Sequence, residues 1–487
     1  MSFHRRQRPR SAGLVKRIIH LSSPPTILLV ICAVAFVTTA RAATVLDPDP
    51  EPSTTLFGYA LASLGDVNGD SVPDYAVGAP YQDGDIVSKA TGFGYPQNVG
   101  KVFVIDGATF ATLSEMNDPE FEVTQDQHFG GQLGRSLSVS ADINSDGVAD
   151  LIAGAPNHIA NPNDKENKII DAGKALVFSG KDGALLFTLS DPVEQEEGHF
   201  GIAVAALGDV NADGIADFVV GANGKDFGGE EESPDEGGTA NVGQAFVFSG
   251  KTGALIRTLD DPAEGYGAAG ALFGSAVANA GDLNQDGVTD IVVGAPGKAQ
   301  VFVFSGKTGE ELYQIDSPTF DTMLSFGAAL AGGQDFNKDL RPDIVVGAPL
   351  QAGNRGAVYV FNGPTGDLIR SLRPPVVQDF AKFGASIYAS ADVTGDKRAD
   401  IIVGAPGRDV NGVVGAGQAY VYDGVRGRLN TTLNSGNPQD NAGFGSSVTS
   451  VTFNGSQVAT PVVGVPYQGA VIDSITRLQI GQIEISQ

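Results

Sequence analysis

The chain repeats itself. Aligned on their glycines, seven segments share one pattern: "FGYALASLGDVNGDSVPDYAVGAP" from Phe57, "LGRSLSVSADINSDGVADLIAGAP" from Leu133, "FGIAVAALGDVNADGIADFVVGAN" from Phe200 and "FGSAVANAGDLNQDGVTDIVVGAP" from Phe273. The others are "FGAALAGGQDFNKDLRPDIVVGAP" from Phe326, "FGASIYASADVTGDKRADIIVGAP" from Phe383 and the degenerate "FGSSVTSVTFNGSQVATPVVGVP" from Phe444. A unit that recurs about every 60 residues cannot bury its apolar face alone, so neighbouring copies must stack on one another.

Each copy is followed by a second strand pair, clearest in "GQAFVFSGKTGALIRTL" (Gly243 to Leu259), where alternation, a tight turn and renewed alternation read as a β-hairpin. One repeat is therefore four short antiparallel strands. The 65 glycines and 26 prolines agree with a core broken by many turns. The expected fold is all-β, a seven-bladed β-propeller of four-stranded antiparallel blades, which hides sheet edges by radial packing. The seventh copy stops at a third strand, "GQIEISQ". The segment "ATVLDPDP" (Ala43 to Pro50) matches the ends of other fourth strands, "FTLSDP" (Phe187 to Pro192) and "RTLDDP" (Arg257 to Pro262). Residues near 44–46 are thus expected to close blade seven, and 43–487 to form one propeller domain.

Residues 1–42 read differently. Arg5, Arg6, Arg8, Arg10, Lys16 and Arg17 precede the apolar run "TILLVICAVAFV" (Thr26 to Val37), and "ARA" (Ala40 to Ala42) offers a small-x-small cleavage site. This is the layout of a secretory signal peptide; the competing reading, a membrane anchor, needs about 20 apolar residues. Cleavage after Ala42 would take seven basic residues and leave 24 against 57 acidic ones, a net of −33. Such a field excludes nucleic acid and anionic membrane as partners. The only cysteine, Cys32, would leave with the signal, so no disulfide is expected in the mature chain. The expected location is secreted, or periplasmic or cell-surface in a bacterium.

Between the first two strands of each repeat sits a crowded loop, D-x-[N/T]-x-D-x-x-x-D. It falls on Asp66, Asn68, Asp70 and Asp74; Asp142, Asn144, Asp146 and Asp150; and Asp209, Asn211, Asp213 and Asp217. It recurs on Asp282, Asn284, Asp286 and Asp290; Asp335, Asn337, Asp339 and Asp343; and Asp392, Thr394, Asp396 and Asp400. Hard oxygen ligands at positions 1, 3, 5 and 9, with the backbone carbonyl of position 7 (Val72, Val148, Ile215, Val288, Arg341, Arg398), suit six- to eight-coordinate Ca2+ better than Mg2+. The loop lacks the position-12 Glu of an EF-hand, and the acid at position 9 takes the closing role. Asx turns alone would explain one such loop, but six in one register favour metal. The seventh loop offers Thr452, Asn454, Ser456 and Thr460 with no carboxylate, so about six calcium sites are expected.

The combination FG…DxNxDGxxD…GAP resembles the FG-GAP repeat of the integrin alpha-subunit N-terminal β-propeller. The resemblance implies a seven-bladed propeller with calcium loops on one face and ligand or partner binding on the opposite face. No inserted I domain interrupts the repeats, the calcium loops outnumber the usual integrin set, and neither a thigh-like domain nor a transmembrane helix is expected after Gln487. The chain therefore resembles a free-standing secreted form.

Long insertions fall between second and third strands at 81–99, 157–172, 223–242 and 407–416, which places a binding surface on the side of blades one to three, where Tyr81, Phe93 and Tyr95 either stack on a ligand or pack the loop. The acidic "GGEEESPDEGG" (Gly228 to Gly238) reads as a solvated loop. His128, His158 and His199 have no matched nucleophile or metal-ligand spacing, and "SGKTG" (Ser249 to Gly253) is a hairpin turn rather than a phosphate loop. No catalytic residues and no organic cofactor are expected. The leading functional reading is an extracellular protein-interaction or cell-adhesion module, the alternative a calcium-stabilised lectin weakened by the absence of Trp, and a propeller-type hydrolase or lyase stands third.

Overall fold

In the first six repeats the second strand is buried along its whole length: in Asp74–Ala79, Asp290–Ala295 and Asp343–Ala348 every residue is inaccessible. A strand rich in Val and Ile with no polar face must be covered on both sides. Fourth strands differ, as in Glu311–Asp316, where only one residue is fully buried. Buried inner and exposed outer strands place each sheet edge-on to a common axis.

The computed structural model describes residues 43–46 and 55–485, apart from 84–97, 120–129, 162–163, 165–166, 227–239, 263–268, 320–324, 390, 453–455, 457, 468, 473–475 and 480–481. Among these residues, six antiparallel sheets take four strands in sequence order and span 60–116, 136–189, 200–260, 276–316, 329–372 and 386–433, here blades one to six. The chain is an all-β propeller of four-stranded antiparallel blades.

The expectation of seven four-stranded blades, the seventh closed by residues near 44–46, is corrected in its number: the structure shows six blades. Six blades are continuous in sequence, and the remaining four-stranded sheet is composite, ordered Ala43–Leu46, Gln482–Ile485, Thr460–Val465, Val448–Val451. Its outer strand, Ala43–Leu46, pairs with Gln482–Ile485, with Leu46 opposite Gln482. A separate hairpin, Gly469–Ile472 with Thr476–Gln479, lies between the second and third strands of this sheet and was not foreseen. The signal-peptide assignment concerns residues outside those described.

The apolar core lies between blades. One cluster joins Val219, Val247 and Leu259 of blade three to Ile291, Val293 and Phe302 of blade four, and equivalent clusters follow at the other junctions. Val451 and Val462 of the composite sheet pack with Tyr75 and Phe103 of blade one, and Val448 and Val463 with Ile402 and Val421 of blade six. The Phe that opens a repeat is part of this core: Phe273 lies 5.7 Å from Phe302 and 5.9 Å from Phe304, ring centre to ring centre. Removing such a ring costs about 3–5 kcal/mol.

Both glycines of the motif have a physical reason. The glycine after the opening Phe, or after Leu133 in the second repeat, holds φ between 85° and 91° at Gly58, Gly134, Gly201, Gly274, Gly327, Gly384 and Gly445, a region closed to most L-residues. The glycine of GAP meets that residue on the next blade: a Cβ at Gly221 would lie 2.0 Å from the carbonyl oxygen of Gly274, and one at Gly404 1.9 Å from that of Gly445. Around the axis, residues 61–63, 137–139, 204–206, 277–279, 330–332, 387–389 and 448–449 line a cavity of about 500 Å³.

Candidate metal centres

The six carboxylate loops share one backbone path. Positions 4 and 6 are left-handed in all of them: Gly69 and Ser71, Ser145 and Gly147, Ala212 and Gly214, Gln285 and Gly287, Lys338 and Leu340, Gly395 and Lys397, with φ from 61° to 92°. Seven of these twelve residues are not glycine, so the path is held against its local cost by bonds within the loop. The position 1 carboxylate supplies them. Asp209 accepts the Asp213 N–H at 3.0 Å and the Gly214 N–H at 2.8 Å, and Asp142 accepts those of Asp146 and Gly147. Position 3 adds a turn of its own, with Asn211 Oδ1 accepting from Asp213 N and Asn211 Nδ2 donating to Asp213 Oδ2 at 2.9 Å. Position 5 accepts the N–H of position 7, as from Val72, Val148, Ile215, Val288, Arg341 and Arg398.

Position 9 does a second job that the sequence did not announce. Asp74, Asp150, Asp217, Asp290 and Asp343 are fully buried and Asp400 nearly so. One oxygen of Asp217 accepts from Val210 N at 2.8 Å and the other from Gly250 N at 3.0 Å, in the turn between the third and fourth strands. The same two-sided bond recurs at Asp74 with Gly107, Asp150 with Gly180, Asp290 with Gly306, Asp343 with Gly363 and Asp400 with Gly424. Position 9 thus fastens the loop to the outer hairpin of its blade.

The "SGKTG" turns also face this loop. Ser249 Oγ donates to Asp213 Oδ2 at 3.0 Å and Lys251 Nζ to the Asp213 carbonyl at 2.9 Å, as Ser179 and Lys181 do at Asp146. Their recurrence in the repeat was the available signal.

Electrostatics separates the two inner acids. Burial pushes the position 9 carboxyls up, in Asp217 with the charge of Asp213 adding to it, and Asp343 is pushed up to about 6. Against the burial that raises it, hydrogen bonds from Asn144, Val148 and Ser179 hold the Asp146 carboxyl below the usual range. Among the described residues, no three His, Cys, Asp or Glu side chains converge as a metal-binding group. The reason is visible in the bonds above, because the carboxylates of positions 1 and 5 fold onto their own backbone N–H groups. A carboxylate offers about four lone-pair sites, so these bonds leave acceptor capacity on each oxygen set for a hard cation. In the seventh loop Ser456 Oγ donates to the Val458 carbonyl at 2.7 Å, and Asn454 lies outside the described residues.

At the opposite end of the blades, the loops between second and third strands meet the connections between blades. Lys225 Nζ lies 2.6 Å from Asp191, Lys298 Nζ 3.0 Å from Asp261 and Lys174 Nζ 2.9 Å from Asp118, each pair joining two blades. The recurrent Asp-Pro after fourth strands carried this signal unread. His158 stands 3.9 Å from Asp118, and His199 faces Asp171, whose carboxyl burial pushes up. Tyr81 belongs to a group with Tyr59 and Tyr467 around Arg135, whose guanidinium sits 4.4 Å above the Tyr59 ring. Phe93, Tyr95, His128 and most of insertions 81–99 and 223–242 lie outside the described residues.

Four-stranded blades with a carboxylate loop at one end and glycine contacts between neighbours define a repeat propeller. The family model described as FG-GAP repeat matches residues 133–167, 273–309, 326–361 and 383–422. The chain is 29% identical over 260 residues to integrin alpha-5 of Xenopus laevis, covering 52% of this chain and 21% of that protein. It is 30% identical over 271 residues to integrin alpha pat-2 of Caenorhabditis briggsae, 51% and 20% of the two chains, and 28% identical over 268 residues to human integrin alpha-IIb, 53% and 21%. The aligned part spans about a fifth of each of these relatives. The chain is an integrin alpha-like FG-GAP β-propeller.

Proposed function

We propose that this protein is a secreted, calcium-stabilised propeller that works as an extracellular protein-interaction or cell-adhesion module, without enzymatic activity. The observation that carries the reading is the common path of the six loops, which puts hard oxygen donors at the same places in six blades of an integrin alpha-like fold. Asp213, Asn211, Asp209 and the Ile215 carbonyl would hold Ca2+ in blade three, with Asp217 behind them, and the corresponding residues in the other five. The cation supplies a positive charge that offsets the repulsion among carboxylates. In this reading residues 1–42 are removed on export, and partners bind the face opposite the loops. Among the described residues no helix is long and apolar enough to cross a membrane.

One observation favours a second reading, glycan binding: Tyr59, Tyr81 and Tyr467 gather on the partner face, where sugars would find aromatic planes. Binding of the labelled protein to intact cells, with Ca2+ and with EDTA, tests both. Loss of binding after protease treatment of the cells supports the interaction module, loss after glycosidase supports the lectin, and absence of binding in Ca2+ overturns both.

A further inference from the structure

At the blade junctions, a side chain two residues past GAP (or its equivalent) reaches the residue two places beyond the last buried side chain of the preceding fourth strand. Lys225 meets Asp191, two past Leu189; Lys298 meets Asp261, two past Leu259; His158 faces Asp118, two past Met116. Between blades four and five the match is neutral, and the Gln351 amide donates to Thr319 Oγ1 beside Ser317. Between blades five and six it fails. Arg408 occupies the place of Lys225 and Lys298, but Pro374, two past Leu372, stands where the acid should be.

Arg408 is half-buried, its Nε is shielded from solvent, and its side chain makes no hydrogen bond or ion pair among the described residues. Asp379 pairs with Arg355, Asp409 accepts the Gly415 N–H at 2.8 Å and Asp440 the Val414 N–H at 3.1 Å, and none of the three forms an ion pair with Arg408 among the described residues. The same place is apolar. The connection from 374 to 381 runs against Gly407, where a Cβ would lie 1.9 Å from the Phe380 carbonyl oxygen, and Asp409 N donates to Gln378 Oε1 at 3.1 Å. That connection exposes Val376 at 60%, Val377 at 55% and Phe380 at 65%, and the adjoining loop exposes Val414 at 57%. Apolar side chains grouped in the open, beside a cation with no counter-charge, mark a contact surface.

We infer that the blade five–six edge of the partner face docks a segment of another protein that presents an Asp or Glu carboxylate next to a large apolar side chain. The carboxylate supplies the anion that Pro374 withholds from Arg408, and the apolar side chain covers Phe380 and the valines. Charge decides the occupant: in a chain of net −26, one arginine does not hold a polyanion such as nucleic acid or an anionic bilayer. This inference rests on the interaction-module reading and moves its contact surface away from blades one to three.

The test uses the full chain and an array of capped octapeptides in a Gly-Ser background, each with Glu or Asp beside Phe, Leu or Val, matched to Gln or Asn versions. Retention of the acidic peptides, with about tenfold or greater loss on amide exchange and in R408Q, is expected. F380S also weakens binding. P374D restores the internal acid of blades two and three, and is expected to lose binding while melting no lower than wild type. No retention of acidic peptides by the wild type, or equal retention by R408Q and P374D, overturns the inference. Wild-type cell binding by R408Q would remove this site and leave the interaction module standing.

Discussion

Gly464 and Gly58 touch: a Cβ at Gly464 would lie 2.0 Å from the Gly58 carbonyl oxygen, and Ser447 Oγ donates to that same oxygen at 2.7 Å. The last repeat therefore meets the first through the contact used at Gly154 and Gly201, where Ser136 Oγ takes the place of Ser447. Gly464→Ala puts a methyl group into a backbone carbonyl, and forcing extra volume into packed structure costs about 1–3 kcal/mol. A lowered denaturation midpoint in urea is expected; an unchanged midpoint would mean that the two repeats do not depend on this contact.

Asp217 and Asp213 are expected to fail differently. Asp217→Ala leaves the Val210 and Gly250 N–H groups buried without an acceptor, at about 1–3 kcal/mol each, and lowers the melting temperature with or without calcium. Asp213→Asn keeps the fold and removes one cation. Circular dichroism melts of both variants, with calcium and with EDTA, separate the roles.

Acid should stabilise the calcium-free protein. The Asp343 carboxyl is pushed up to about 6 in the folded state, above its ordinary 3.8, so the folded chain holds more protons than the unfolded chain between those values. Stability then falls as pH rises through that window, and Asp74, Asp150, Asp217, Asp290 and Asp400 shift in the same direction. Melts in EDTA are expected to be higher near pH 4.5 than near pH 7, with added calcium raising the melting temperature most at pH 7. A calcium-free melting temperature that rises over that range would contradict the assignment.

Lys225 and Asp191 are both nearly inaccessible, so breaking the pair leaves a charge in the interior. Lys225→Met is expected to cost about 3–5 kcal/mol, and adding Asp191→Leu to recover most of it, because an apolar pair removes the stranded carboxylate. The double-mutant cycle in urea measures both.

The blade pattern was legible because it is local: FG, the carboxylate loop and GAP recur in register, and period-two alternation exposes the hairpins. The composite sheet could be anticipated from a missing strand and the likeness of residues 43–50 to other fourth strands. The hairpin at 469–479 could not, since it has no counterpart in the other repeats. Loop residues were readable as a donor set, but the tie from Asp217 to Gly250 depends on a turn 33 residues away, which spacing does not reveal. Arg408 escaped notice for the same reason, its meaning residing in Pro374 on the preceding blade.

Equilibrium dialysis of the full chain against labelled calcium tests the central claim most directly. The account predicts close to six ions bound per chain, five in Asp213→Asn, and a melting temperature that rises with free calcium as binding to the folded state requires. Folded protein that binds no calcium at millimolar concentration, or whose stoichiometry is unchanged by Asp213→Asn, would contradict it.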